Sequence, residues 1–420
     1  MKNQKIKVIG DIMIDEWISG NNNNISAEAP VRIFKTFKKK ISIGGAGNLC
    51  MNLKKLGINF IFYAQIGKDD KAKKLINLLK KNKINFKSTK EKKITTSKKR
   101  FFLNNNQIFR EDVEDDKIDK NVGNLFLKEL KKNDIVIISD YKKGVIFKEL
   151  HSKIVKKKCL TFVDPKNKPI FYKNSFLVKP NMNKFKEWCK IFNKKKAFNL
   201  LKRMNWTWLI VTDSKKGVHV FNKYGFYNHY KVKKVNNPNV IGAGDIFFSS
   251  LIYFYLKNYD IFTSVELSSF ASTQCVKNKS IRYISKKYFV KDTVFTNGVF
   301  DILHKGHLRL FKFAKKFGKK VIVGINSDNS VKRIKGSNRP YNNVNIRIQN
   351  LKKTKLIDHI FVFNENTPLK LIKKIKPEVI IKGNDYNFKN VIGSKISNII
   401  LFKKYRNYST SKILKKLNYI

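Results

Sequence analysis

The chain has 420 residues, room for two or three domains, and 42% of them are apolar, enough for ordinary buried cores. Its 90 Lys and Arg against 30 Asp and Glu give a formal charge of +60, yet the lysines are spread along the chain with no arginine-rich arm or RNA-binding signature. That spread argues for a solvated basic surface and against a nucleic-acid-binding protein, and the longest apolar run, IFFSSLIYFYL (246–256), is too short for the roughly 20 residues of a membrane-spanning helix.

Asn, Ile, Phe, Tyr and Lys are over-represented and Ala is scarce, the bias of AT-rich codons. The N-terminal MKNQKIKVIGDIMIDEW breaks its apolar run with Asp11 and Asp15, unlike a signal peptide. Cys50, Cys159, Cys189 and Cys275 stand far apart, with neither redox nor metal-ligand spacing. A cytosolic protein with reduced cysteines is expected, without a membrane or nucleic-acid partner.

Short β-rich runs alternate with amphipathic ones from the first residues onward. KIKVIG (5–10), FIFYAQIG (60–67), DIVIISD (134–140), TFVDP (161–165) and WLIVT (208–212) read as buried strands, with helices over 69–82 and 144–157 between them. The alternation predicts a mostly parallel sheet covered by helices on both faces. NNNN (21–24) reads as a turn. A second series begins at TVFTNG (293–298) and continues through KVIVGINSD (320–328), HIFVF (359–363) and EVIIKG (378–383). The fold class is therefore α/β in two domains, 1–288 and 289–420, with the junction near 284–292 and no Pro/Gly/Ser linker.

Several segments of the first series bring polar groups to the carboxyl ends of strands, where α/β sheets bind ligands. GDIMID (10–15) places Asp11 and Asp15 there, and IGGAGN (43–48) adds a glycine turn, Gly44–Gly45, followed by Asn48. Asp and Asn beside bare backbone suit a polyhydroxyl ligand. SDYKKG (139–144), VDPK (163–166), KPN (179–181) and VTDSKKG (211–217) end further strands. NVIGAGD (239–245) precedes an apolar helix expected to start near Ile246. Gly242 and Gly244 free the backbone around Ala243 to point N–H groups at an anion where the helix dipole is positive. Asp245 closes the turn. A carboxylate there either caps the helix or takes the proton from a hydroxyl that attacks a γ-phosphate.

Together these segments resemble the ribokinase-like carbohydrate kinases, in order along about 280 residues, and SAEAPV (26–31), SDYKKG and DPK resemble their heptose-phosphate branch. The resemblance implies a three-layer α/β domain with a small β lid, Asp245 as catalytic base and the Gly242–Gly244 backbone as anion hole. It implies nucleotide contacts from Asn181, Met182, Asn183 and Lys184, and sugar contacts from Asp11, Asp15, Gly44, Gly45, Asn48, Arg110, Asp140 and Lys166. SAEAPVRIF (26–34) would form a lid strand pairing two subunits of a homodimer. The pattern departs at Lys184, where the family has the Glu that helps organise Mg²⁺, at Asn239 and Ile241 before the glycine turn, and in KNKSIR (277–282) near the adenine.

In the second series, NGVFDILHKGH (297–307) holds two of the six histidines of the chain, His304 and His307, beside Gly298 and Gly306. At a helix start such a pair shares one side and can donate to phosphate oxygens as a leaving pyrophosphate gains charge. Capping or packing of the helix is the structural alternative. Zinc lacks ligands, Asp301 being the one further donor nearby. TNGVFDILHKGH (296–307), INSDNSVKRIKGSNRP (325–340), NENTPLKLIKKIKPEVIIKGNDY (364–386) and STSKI (409–413) resemble the nucleotidyltransferase superfamily and, within it, the adenylyltransferase half of bifunctional heptose-phosphate enzymes. The resemblance implies a Rossmann-like domain in which His304 and His307 contact ATP phosphates. Asn297, Gly298 and Phe300 would line the nucleotide, Asp328 and Lys335 would lie near the reacting groups, and Arg339 close to the phosphates. Lys382, Gly383, Asp385, Ser409 and Thr410 would close over it.

The order of the two halves resembles the fused enzymes of ADP-heptose synthesis. It implies two ATP- and Mg²⁺-dependent reactions: phosphorylation of D-glycero-D-manno-heptose 7-phosphate at C1, then adenylyl transfer to heptose 1-phosphate. The alternatives are an enzyme active only in its second half, the same pair of folds acting on another sugar phosphate, or a nucleic-acid-binding protein on an enzyme scaffold.

Overall fold

A computed structural model describes residues 5–402 except 91–93, 105, 116–119, 233–234, 236–237, 239, 278–282, 286–288, 290 and 384–390. The chain divides into two compact units, Met1–Ser285 and Lys286–Ile420.

The first unit is built on a nine-stranded sheet. Its spatial order is Tyr227–Tyr230, Gly217–Asn222, Trp208–Asp213, Leu177–Val178, Leu160–Asp164, Ile135–Ser139, Ile6–Gly10, Ile61–Ile66 and Phe86–Lys90. From Trp208–Asp213 onward all neighbours run parallel; the two remaining strands form an antiparallel hairpin on one edge. The runs read as strands all lie in this sheet. Their side chains are covered on both faces: Val8, Phe62, Ile137 and Phe162 on one, and Ile9, Ile138, Val163 and Leu209 on the other, have no exposed surface. The helix Asp70–Lys81 starts where Asp69 accepts from the Ala72 N–H at 2.9 Å.

A separate four-stranded sheet forms the lid, ordered Arg32–Gly45, Ile12–Ile25, Ser97–Leu103, Asn106–Val113. Here the sequence reading needs correction. Asn21–Asn24 is not a turn but part of a 14-residue strand, paired with Arg32–Gly45 through two register shifts. Asn has low strand propensity, but the long antiparallel partner carries it through a bulged ribbon. The turn lies later, at 26–31, where Ser26 N–H donates to Val31 O at 2.9 Å; only Arg32–Phe34 of the expected lid strand are extended.

The helix Ala243–Leu256 buries Ile246, Phe247, Phe248, Leu251, Ile252 and Phe254. A helix apolar all round belongs in the interior, and this one packs between Ala46–Lys55 and Ile261–Lys277. It begins three residues before Ile246, at Ala243, because Gly242 takes the left-handed conformation (φ 76°) and caps it.

The second unit has a five-stranded, wholly parallel sheet, ordered His359–Phe363, Gly318–Asn326, Lys291–Gly298, Val379–Gly383, Asn398–Phe402. Phe295, Ile322, Ile372, Ile380, Val391 and Ile399 form a core on one of its faces. Among the described residues, no helix is long and apolar enough to cross a membrane.

Candidate active sites

In the first unit the segments singled out by sequence converge on Asp245. Since Gly242 is the cap, Asp245 is the third helical residue, and no side chain caps the helix. Asn48 Nδ2 donates to Asp245 Oδ2 at 2.5 Å, and Tyr141 OH donates to Oδ1 at 3.2 Å. Burial raises the carboxyl to about 7, against the Asn48 hydrogen bond; the Asp164 charge raises it further, while Lys179 and Tyr141 oppose. The N-capping alternative therefore falls, and what is left is a buried carboxylate poised near neutrality, as a general base requires. A Cβ on Gly244 would meet nothing within 4 Å, so the backbone beside Asp245 is open to an approaching group.

The glycine turn at 44–45 is demanded sterically. Gly45 has φ 59°, and a Cβ there would lie 2.4 Å from the Asp11 carbonyl; a Cβ on Gly44 would lie 2.5 Å from Asp15 Oδ2. The tight turn starts the helix Ala46–Lys55 where Asn48 reaches Asp245. Asp15 sits on the lid and accepts from Arg100 Nη1 at 3.0 Å.

Other residues are used differently from a simple ligand shell. Asp11, 2% exposed, accepts from the backbone N–H groups of Tyr141, Lys143 and Val145 at 2.8, 3.2 and 3.1 Å. Asp140, also buried, accepts from the backbone N–H groups of Lys142, Lys166 and Asn167, from Asn167 Nδ2 and from Tyr172 OH. Both carboxylates anchor loops. Arg110 is on an exposed lid strand, chelated by Asp112 and directly opposite Arg100. Asn181 caps the helix Met182–Cys189, its Oδ1 accepting from Lys184 N at 2.8 Å; Met182 is buried and Asn183 exposed. Lys184 forms an ion pair with Glu187, one turn on. Ile241 is exposed, whereas Asn239 and 278–282 lie outside the described residues.

Tyr141, Asp164, Lys179 and Arg100 were not singled out from sequence. The first three lie inside segments noted as strand ends, and Lys179 pairs with Asp164 at 3.2 Å beside Asp245. For Arg100 no local signal existed, because its partner is 85 positions away.

In the second unit His304 is the N-cap of the helix Lys305–Phe317, its Nδ1 accepting from Gly306 N at 3.1 Å. The structural alternative therefore holds for this ring alongside any ligand role. The His304 and His307 rings stack with centroids 3.8 Å apart, and Phe300 meets His307 edge-on at 5.1 Å. Phe300 is held at φ 50°, and a Cβ on Gly298 would stand 3.1 Å from its ring. Lys382 Nζ donates to the Asn297 carbonyl at 3.0 Å, which ties two neighbouring strand ends together.

Two buried charges organise this turn. Asp301, 2% exposed, accepts from the Tyr341 and Asn342 N–H groups at 3.0 and 2.9 Å and pairs with Arg339 at 2.8 Å. Arg347 has no exposed surface. It donates to the carbonyls of Asn342, Val299 and Asn326 at 3.0, 2.9 and 2.9 Å, and to Asp328 Oδ1 at 2.6 Å. Sequence reading missed Arg347 entirely; in a chain this basic one more arginine carries no signal. Lys335 is exposed at the end of the helix Asp328–Lys335, and Gly383 ends its strand. Asp385, Ser409 and Thr410 lie outside the described residues.

Curated relatives match over nearly the full length. The bifunctional protein HldE of a Nitratiruptor species is 32% identical over 461 residues, covering 98% of this chain and 99% of that protein. The chain belongs to the HldE family. HldE of Campylobacter jejuni (strain RM1221) is 33% identical, covering 98% of this chain and 97% of its own length. Residues 3–287 match the pfkB family of carbohydrate kinases and residues 295–416 the cytidylyltransferase-like family. This member of the HldE family is a bifunctional enzyme, a carbohydrate kinase followed by a nucleotidyltransferase. Solved structures share the fold of the first unit: Escherichia coli phosphofructokinase-2 in complex with potassium (TM-score 0.58, 14% identity, 68% of this chain and 96% of that one) and Thermotoga maritima ribokinase (TM-score 0.53, 18% identity, 66% and 95%).

Proposed function

We propose that the first unit transfers the γ-phosphoryl group of ATP to the C1 hydroxyl of D-glycero-D-manno-heptose 7-phosphate, and that the second couples heptose 1-phosphate to AMP from a second ATP, in the cytoplasm. The observation that carries the kinase half is Asp245, a buried carboxylate raised to about 7 beside an open glycine backbone. The C1 oxygen attacks the γ-phosphorus, its proton passes to Asp245, and the bond from the γ-phosphorus to the bridging oxygen of ADP breaks. The N–H groups of Gly242 and Gly244 receive the developing charge, that of Ala243 donating to Val240 O at 3.2 Å. Asn48, Asp15 and the Gly44–Gly45 turn face the sugar; Asn181, Lys184 and their neighbours lie by the nucleotide. Lys166 and Arg110 complete the surround, and Asp11 and Asp140 hold the loops that carry it.

In the second unit the phosphate oxygen of heptose 1-phosphate attacks the α-phosphorus, and pyrophosphate leaves. No protein nucleophile or base is required. His304 and His307 donate to the phosphates, Arg339 stands behind them, and Asn297, Gly298, Phe300 and Lys382 shape the nucleotide pocket. Between the two reactions a phosphatase must remove the 7-phosphate.

Mg²⁺ is held by one or two carboxylates together with substrate phosphates. In the kinase half Asp164 is already paired with Lys179 at 3.2 Å, and no described group of three or more acidic, His or Cys side chains would hold a metal unaided, so the ion would be held chiefly by the substrate phosphates. Bound there, Mg²⁺ would neutralise charge on the phosphates. A homodimer through the lid is supported by Phe37 and Phe109, 67% and 60% exposed on that sheet.

Incubation with ATP, Mg²⁺ and heptose 7-phosphate, with and without a sugar phosphatase, tests the assignment by mass spectrometry. Heptose 1,7-bisphosphate without the phosphatase and ADP-heptose with it are expected. If the bisphosphate never forms but heptose 1-phosphate supplied in a separate incubation is adenylylated, only the second half is active, a reading that the Lys184–Glu187 pair favours.

A further inference from the structure

The two donors on the Asp245 carboxylate come from different segments. Asn48 belongs to the turn that Gly44 and Gly45 build. Tyr141 belongs to the loop after the strand Ile135–Ser139, and Asp11 ties that loop down through the N–H groups of Tyr141, Lys143 and Val145. A carboxylate has about four lone-pair sites. Three amides already draw on those of Asp11, whose side chain is buried against them. It is therefore poorly placed to serve sugar hydroxyls as well.

We propose that Asp11, by fixing the loop 141–145, holds the Tyr141 phenol on Asp245, and that Tyr141 is a positioning residue of the kinase reaction that sets the direction of the base. This rests on the reading of Asp245 as the proton acceptor. Asn48 holds Oδ2 from 2.5 Å, whereas Tyr141 stands 3.2 Å from Oδ1, so Oδ1 is the less tightly held oxygen and the one left for a substrate hydroxyl. The phenol remains a donor because burial, then the charges of Asp245 and Asp164, push its ionisation well above the usual range. The charged and titratable groups facing Asp245 are Asp164 at its strand end, Lys179 after the strand Leu177–Val178, and Cys50 on the helix Ala46–Lys55; Asp15 on the lid faces Tyr141.

A donor to a carboxylate stabilises its ionised form, and the base works only when ionised. Removing the phenol must therefore move the acid limb of the kinase profile to higher pH. The test measures kcat/KM for heptose 7-phosphate against pH in the full chain, with ATP and Mg²⁺, for the wild type, Tyr141→Phe and Asp11→Asn. Adenylyl transfer and thermal melting report folding. Both variants are expected to shift the limb upward, by roughly half to one pH unit for a hydrogen bond of this length, with KM for ATP unchanged. A limb that stays in place in folded Tyr141→Phe overturns the proposal. So does Asp11→Asn that weakens sugar binding tenfold without moving the limb, since Asp11 then contacts the sugar. Asp245→Asn in the same assay separates the two layers. If it retains activity, the proton-acceptor reading fails; if it is dead while the Tyr141→Phe limb is unmoved, only the positioning role fails.

Discussion

The two halves meet phosphorus chemistry with opposite materials. Around Asp245 the first unit gathers a carboxylate that burial pushes to neutrality, with neutral donors, Asn48 and Tyr141, as its direct partners. Around His304 the second gathers rings and cations, and its buried carboxylate, Asp301, is consumed by Arg339 and two backbone amides. An alcohol must lose a proton to attack; a sugar phosphate already carries its charge. The difference in site chemistry follows from the difference in nucleophile.

The largest effects should separate the halves cleanly. Asp245→Asn should lower kinase turnover about 10²–10⁴-fold and leave adenylyl transfer intact, and His304→Ala should do the reverse by about 10²-fold or more. Coupled assays on each purified variant check this, and loss of both activities in a folded variant breaks the two-site picture. Next is Arg347→Met. It strands three carbonyls and the Asp328 carboxylate, so the second unit should lose about 3 kcal/mol or more, read as adenylyl transfer failing at lower temperature while kinase activity persists.

A titration effect comes third. Asp245 is raised to about 7 and Asp11 to about 6, each above its unfolded value, so the native state holds their protons more tightly than the unfolded chain. Their contribution favours folding below the unfolded carboxylate range and is lost as pH rises toward 6–7. Denaturant melts of Asp245→Asn should thus show a smaller fall in stability between pH 4 and 7 than the wild type. The smallest effect concerns Lys184. It occupies the third position of a helix capped by Asn181, where an acidic side chain would complete a capping box and suit the dipole. Lys184→Glu gives up an ion pair whose partner is 61% exposed, so stability should change by less than about 1 kcal/mol. A rise in kinase kcat would mark the lysine as a handicap.

Strands and glycine turns were legible because their signals are local. Buried parallel strands read as continuous apolar runs, and Gly45 and Gly242 stand where φ is positive. The lid was not legible. Asn21–Asn24 reads as a turn by composition, and pairs because the next strand, Arg32–Gly45, folds back along it. Arg100 and Arg347 escaped for a different reason, their roles being set by partners far along the chain. Asp11 and Asp140 were read as sugar contacts, but sequence cannot say whether such a carboxylate faces a ligand or, as here, the backbone of its own loop.

The cap on the helix Lys305–Phe317 has a consequence for the direction of donation. With the Gly306 amide seated on Nδ1, the proton of a neutral His304 ring resides on Nε2. The tautomer is thereby selected by the backbone, not by the nucleotide. Fraying that first turn would release the choice and let the imidazole present a lone pair where it now offers N–H, without any change to the ring itself.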